Sequence, residues 1–278
     1  MPHADSSRGA AAFVLPAAIL SLAIAAVPLA FILYTSLGGA ALSLEAFESL
    51  LSSKLFLRSL YTTVEISISA ALISLLLGYV VALHLARQSP RRRAIYMVLV
   101  LLPFWTSILV KSYAFTVILG REGVINSLLS WVAGTQIALP MILNRVGVMV
   151  GMTNYLTPFI IFPVLASLLA IDPALYRAAD IMSARPMRVF FTITLPLSLP
   201  GIVAGVSSVT VMSLGFFVIP ALLGGRHDVM LANLVDFYTR EALDWNMAAA
   251  IGVLLLAMVV LLSAPALWMR RGQLAGGM

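Results

Sequence analysis

Residues 9–44 read GAAAFVLPAAILSLAIAAVPLAFILYTSLGGAALSL and contain no charged side chain. A second charge-free run, residues 189–225, reads VFFTITLPLSLPGIVAGVSSVTVMSLGFFVIPALLGG. A helix needs about 20 apolar residues to cross a hydrocarbon layer of roughly 30 Å, and both runs exceed that. The same alternation of long apolar runs and short charged clusters extends over the whole chain of 278 residues, which is 62% hydrophobic and only 10% charged. Soluble domains carry roughly a quarter of charged residues. The sequence therefore specifies an all-α polytopic membrane protein. Apolar length and charged punctuation give six segments, at 13–36, 60–86, 94–120, 147–170, 197–225 and 245–269. Lys111 interrupts the third, and the fifth is longer than one crossing requires.

The expected organisation is a polar tail 1–12, a membrane domain 13–269 and a polar tail 270–278. The first apolar run exceeds the roughly 7–15 residues of a signal-peptide core, so it is expected to remain as the first helix. Orientation follows from the positive-inside rule. Arg8, Arg87, Arg91, Arg92, Arg93, Arg177, Arg185, Arg188, Arg270 and Arg271 fall on one side. Lys54, Arg58, Arg121, Arg145, Arg226 and Arg240 fall on the other, together with most of the acids. Both termini and the loop between the fourth and fifth segments are thus expected in the cytoplasm. Trp245 and Trp268 bracket the last segment as interfacial anchors would.

A net charge of +6 does not make this a nucleic-acid binder, because the basic residues adjoin apolar spans instead of forming a basic soluble face. There is no cysteine, hence no disulfide or thiol chemistry. His3, His84 and His227 are dispersed, so no metal site is expected, and His84 is read as an interfacial residue. No phosphate-binding loop of the G-x-x-x-x-G-K-[ST] kind occurs, and no serine has a credible base beside it. Eight prolines lie within or at the ends of the segments, Pro16, Pro28, Pro103, Pro158, Pro163, Pro200, Pro220 and Pro265. Hinged helices around a pathway and ordinary bundle packing both account for them.

The longest inner loop, residues 172–196, has the local grammar of two short helices. Asp172 is a good N-cap and Pro173 follows at the first helical position, where its missing N–H costs nothing. Leu175, Ala178, Ala179 and Met182 recur at helical spacing as an apolar face with small residues that admit a close partner. Ser183-Ala184-Arg185-Pro186 breaks the helix, since the residue before a proline avoids the α region. A second helix from Pro186 to about Ile193 carries Arg188, and Leu195-Pro196-Leu197 is expected to turn the chain back into the membrane. Such a stripe suits a plug for a groove on a soluble partner. A connector lying on lipid, anchored by Arg185 and Arg188, fits the same pattern.

This segment resembles the EAA loop of ABC-importer permeases, which reads Glu-Ala-Ala, three residues, Gly, nine residues, then Ile-x-Leu-Pro. Here the pattern is Arg177-Ala178-Ala179, Ser183, and Ile193-Thr194-Leu195-Pro196, continued by Leu197-Ser198-Leu199-Pro200-Gly201-Ile202. Leu102-Pro103-Phe104-Trp105-Thr106, Leu222-Leu223-Gly224-Gly225 and Asp244-Trp245 resemble the spermidine/putrescine-type members. The resemblance implies a type I importer permease of six membrane helices in the cell inner membrane. It implies ATP-binding subunits, a second permease subunit and an extracytoplasmic solute-binding protein as partners, with ATP bound by those partners and no cofactor on this chain. It further implies a small organic solute of the polyamine type, and a coupling helix that seats in a cleft of the ATPase. The coupling residues are then Asp172, Leu175, Arg177, Ala178, Ala179, Met182, Ser183, Arg188, Leu195 and Pro196. Two positions depart from the pattern: Arg177 stands for the acid and Ser183 for the glycine. An ion-coupled carrier and a membrane scaffold are the rival readings.

Charges inside spans are costly, roughly 2.5–3.5 kcal/mol on insertion scales, and mark functional candidates. Glu65 and Lys111 lie at similar depth on consecutive segments, which suggests either a pair near a gate or two unrelated interfacial charges. Ser207, Thr210 and Ser213 on the fifth segment, with Asn154, Tyr155 and Thr157 on the fourth, are candidates for a polar pathway or for helix packing. The outer loop 121–145 holds Val124, Ile125, Leu128, Leu129 and Val132 at helical spacing, and its Arg121 and Glu122, with Arg226 and Asp228, are expected within reach of a binding protein.

Overall fold

The computed structural model describes residues 3–275, with side chains placed for 15–40 and 42–263. The side chains of Arg8, Pro265, Trp268, Arg270 and Arg271, used above for orientation, anchoring and bending, lie outside that set. Every regular element among the described residues is helical. In chain order they are α1 (His3–Ser36), α2 (Glu45–Ser52), α3 (Lys54–Ala86), α4 (Pro90–Leu101), α5 (Ile108–Leu119), α6 (Val124–Ala133) and α7 (Arg145–Leu169). They continue as α8 (Pro173–Ile181), α9 (Pro186–Val189), α10 (Leu195–Leu214), α11 (Val218–Leu223), α12 (Leu231–Arg240) and α13 (Trp245–Ala275). Among them are five helices long and apolar enough to cross a membrane, or six if one sharply bent pair forms a single span.

That bent pair is the expected third segment. The segment 94–120 is not one rod: α4 ends in a 3-10 turn, Leu102–Trp105, and the directions before and after the break differ by 90°. Pro103 cannot donate to the helical ladder, and Thr106 and Ser107 are extended before α5 restarts with the Lys111 N–H on the Ser107 carbonyl. The fifth segment also differs from expectation. Leu195-Pro196-Leu197 makes no turn, because α9, a π-helical stretch Phe190–Thr194 and α10 form one span, Pro186–Leu214. The Leu195 N–H reaches back to the Phe190 carbonyl, a widened turn that carries the chain over Pro196, which has no N–H to give. The span ends at Leu214, and α11 is a separate short helix.

The chain divides into two compact units. One gathers Met1–Phe56 with Leu234–Leu256. In it α1 carries apolar side chains outward from Leu15 to Tyr34, as a lipid-facing or partner-facing helix must, and ends in a turn with Gly38 and Gly39 at positive φ. The Asp244 carboxylate accepts the Met247 N–H at 3.0 Å and so caps the start of α13.

The other unit, Leu57–Asn233 with Ala257–Met278, is built around α7, the most buried of the spans. Lipid tails are as apolar as leucine, so helices associate in a membrane by close packing more than by water exclusion. Small residues supply that closeness here. Gly201 and Gly205 of α10, four apart on one face, lie on Pro163 and Ile160 of α7, where a methyl group at Gly201 would sit 2.3 Å from the Pro163 carbonyl oxygen. Gly147 and Gly151 of α7 receive α11 in the same way, at Leu223 and Ile219. Gly78 of α3 meets Ile160. Around these contacts Ile66, Leu85, Met152, Leu156 and Val209 are fully or almost fully buried.

Candidate functional site

The loop following α7 forms the first part of the site. The Asp172 Oδ1 accepts the Ala174 N–H at 2.8 Å and Pro173 opens α8, as the sequence anticipates. The other end of α8 closes with two crossed bonds, Ala184 N–H to the Ala179 carbonyl at 3.0 Å and Ser183 N–H to the Asp180 carbonyl at 2.9 Å. This is a Schellman closure, and it puts Ser183 in the left-handed region at φ 50. The position where the EAA pattern has glycine is thus the one that favours glycine physically.

The expected apolar stripe separates into two roles. Ala179 is buried at 8% exposure, whereas Leu175, Ala178, Ile181 and Met182 face outward, Met182 at 79%. On the following span Met187 and Phe191 are exposed as well. Arg177 and Arg188 are exposed. The loop is tied to the membrane helices by the Tyr176 hydroxyl, 3.2 Å from Thr194 Oγ1. Tyr79 of α3 then contacts the same span through Ser198 at 3.0 Å and an edge-on ring contact with Phe190. α8 is thus linked to the π stretch, which runs unbroken into α10. Leu195 and Pro196 belong to this continuous span and not to a turn.

At the other end of α7 lies a charge cluster that sequence reasoning paired differently. Glu65 does not pair with Lys111. Its Oε2 accepts from Arg145 at 2.9 Å, and Arg145 Nε donates to Asp228 Oδ1 at 2.7 Å. Asp228, only 7% exposed at its side chain, also accepts the Gly225 N–H at 3.0 Å. Arg145 joins α3, the start of α7 and the segment before α12. Arg58 and His227 meet beside this cluster. Arg145 is thus a bridging residue as well as a topology signal, and Asp228 is buried in this cluster instead of open to a partner.

Lys111 stands elsewhere, with its Nζ 5.2 Å from the centre of the Tyr155 ring. Tyr155 packs in turn on Phe104, Phe159 and Phe216. Lys111, Phe104 and Tyr155 line a cavity of about 540 Å³ between α3, α4, the broken span and α7. Thr153, Asn154 and Thr157 line it too, so the polar residues of the fourth segment do share a chamber. Ser207, Thr210 and Ser213 do not line it. Ser213 is fully buried with its hydroxyl on the Thr210 carbonyl at 2.8 Å. His84 meets Gln88 at 3.2 Å and packs beside the Tyr96 ring.

The chain is 29% identical over 212 residues to the spermidine/putrescine transport system permease protein PotB of Haemophilus influenzae, covering 76% of this chain and 74% of that one. It is 28% identical over 250 residues to a permease protein attributed to 2-aminoethylphosphonate transport in Salmonella typhimurium, covering 84% and 82%. A chain of the crystal structure of the bacterial alginate ABC transporter, in complex with its alginate pentasaccharide-bound periplasmic protein, superposes with a TM-score of 0.78 over 96% of this chain at 20% identity. Residues 74–272 match the model of one family over most of the chain's length, and the chain belongs to that family, the binding-protein-dependent transport system inner membrane components.

Proposed function

We propose that this chain is one of the two permease subunits of an ATP-driven importer and supplies half of its translocation pathway. The domain 13–269 lies in the inner membrane, with the tails 1–12 and 270–278 and the loop 171–196 in the cytoplasm. An ATP-binding subunit seats on α8, and an extracytoplasmic binding protein delivers solute on the opposite side. Chemistry on ATP belongs to the partner, and the chain itself catalyses no reaction. The observation that carries this reading is α8, a capped helix that exposes Leu175, Ala178 and Met182 and is linked to α10 through Tyr176 and Thr194. A helix that docks a partner needs both an outward apolar face and a link to the bundle, and these two features support the reading.

The solute class follows from what the relatives are named for. Spermidine, putrescine and 2-aminoethylphosphonate share an aliphatic primary amine. A small aliphatic amine is accordingly the solute proposed for this chain. The test is reconstitution of the chain with its second permease, ATPase and binding protein in vesicles. Uptake of labelled amine should require ATP inside the ATPase-bearing compartment and stop when the ATPase is inactivated. Uptake driven by an ion gradient without ATP would overturn the proposal.

A further inference from the structure

The chamber at Lys111 says more about the solute than the relatives do. Lys111 is the only charged side chain among the residues that line it, and no carboxylate joins it there. The one acid at similar depth on α3, Glu65, is held by Arg145 in the other cluster. The Tyr155 ring, which offers the chamber's best face for an ammonium, is already engaged by the Lys111 ammonium. A second cation entering this mostly apolar pocket would meet a like charge with no carboxylate beside it. An anionic group would meet the opposite. Asn154, exposed on the same wall, adds an amide that can donate hydrogen bonds into the chamber. The helix α5 restarts at Ile108 inside the broken span, so its positive end also lies on the Lys111 side. Charged groups inside spans are costly and persist where they meet a partner or a substrate.

We infer that this chain's face of the pathway accepts a solute bearing an anionic group, a phosphonate or carboxylate, which Lys111 meets while Asn154 donates a hydrogen bond. The solute is then a zwitterionic aminoalkyl acid and not a polycation. This deepens the importer reading and rests on it. Lys111 acts as a specificity-determining residue, and about 540 Å³ is enough room for a solute of a few carbons with its acid and amine ends.

The probes are putrescine and 4-aminobutylphosphonate, which share a four-carbon amine and differ only at the far end. Their equilibrium binding is measured on the assembled importer in nanodiscs without binding protein, for the wild type, Lys111→Met, Lys111→Arg and Asn154→Leu. The wild type should bind the phosphonate at least tenfold more tightly than putrescine. Lys111→Met should erase that preference, Lys111→Arg should retain most of it, and Asn154→Leu should weaken phosphonate binding alone. Tighter binding of putrescine by the wild type, undiminished preference in Lys111→Met, or no phosphonate binding at all overturns the inference. The importer reading is scored separately, by co-purification of the ATPase and ATP-dependent uptake in the same preparations.

Discussion

Ser183 holds φ 50 at the C′ position of α8, and a non-glycine residue in the left-handed region costs roughly 1–2 kcal/mol. The two bonds of the Schellman closure fix it there, because Ala184 and Ser183 must both turn their N–H groups back toward α8. Replacing serine by glycine removes the backbone strain and adds some chain entropy to the unfolded state, worth about 0.4–1 kcal/mol in the other direction. The net expectation for Ser183→Gly is a gain of up to about 1 kcal/mol, while Ser183→Val, β-branched and without access to this region, loses more than that. Thermal unfolding of the detergent-solubilised chain measures both. Equal midpoints for glycine, serine and valine would show that the loop does not need the closure. Arg177 is a different kind of departure. It is exposed, so the reversed charge leaves the packing of α8 untouched, and under the proposed docking it would bear on the partner's surface.

At the scale of the element, α8 gives neighbouring alanines opposite duties. Ala178 is exposed and Ala179 is buried, although both belong to the same small-residue pair in the sequence. Ala178→Trp is therefore expected to abolish ATPase co-purification with the unfolding midpoint unchanged. Ala179→Trp overpacks the root of the loop, costing about 1–3 kcal/mol, and should lower the midpoint as well. Similar effects from both would mean that α8 has no defined docking face. What could be read from sequence along this loop was local: the Asp172 cap, the Pro173 start and the break near Ser183 depend on residues within four positions of one another. The continuity of Pro186–Leu214 was not legible, since Leu-Pro-Leu reads as a turn unless a π-helical widening absorbs the proline. The break at residues 102–107 was hidden for a related reason. Pro103 in an apolar run is compatible with a mild kink, and only the extended Thr106 and Ser107 turn it into a bend of 90°. The glycine pairs 147/151 and 201/205 did carry a readable signal, the small-x-x-x-small spacing of close helix contacts.

For the whole molecule, the class and a count of five or six spans were legible because hydrocarbon thickness sets a minimum apolar length that the composition shows directly. Charge partners were not, since partner choice depends on depth and side-chain reach: Arg145 bridges Glu65 and Asp228 from opposite sides of the sequence, and Lys111 turns to an aromatic ring. Orientation rests on the basic residues alone, and it can be tested because the chain has no cysteine. Ser89 lies in the Arg-rich connection between α3 and α4, Glu122 between α5 and α6, and both are exposed. Under the positive-inside rule Ser89→Cys faces the cytoplasm and Glu122→Cys the outside. A membrane-impermeant maleimide should then label Glu122→Cys in spheroplasts and Ser89→Cys only in inverted vesicles. Labelling of both from one side would mean that the broken third span does not cross, and that α4 and α5 together form a re-entrant element. The reverse pattern would invert the topology, put α8 outside the cell, and end its role as a seat for an ATPase. A dominant contribution from Arg91, Arg92 and Arg93 is expected, because they are the densest basic cluster beside a span. Replacing the three by glutamine should therefore yield a mixed labelling pattern, whereas replacing Arg177, Arg185 and Arg188 should leave orientation intact.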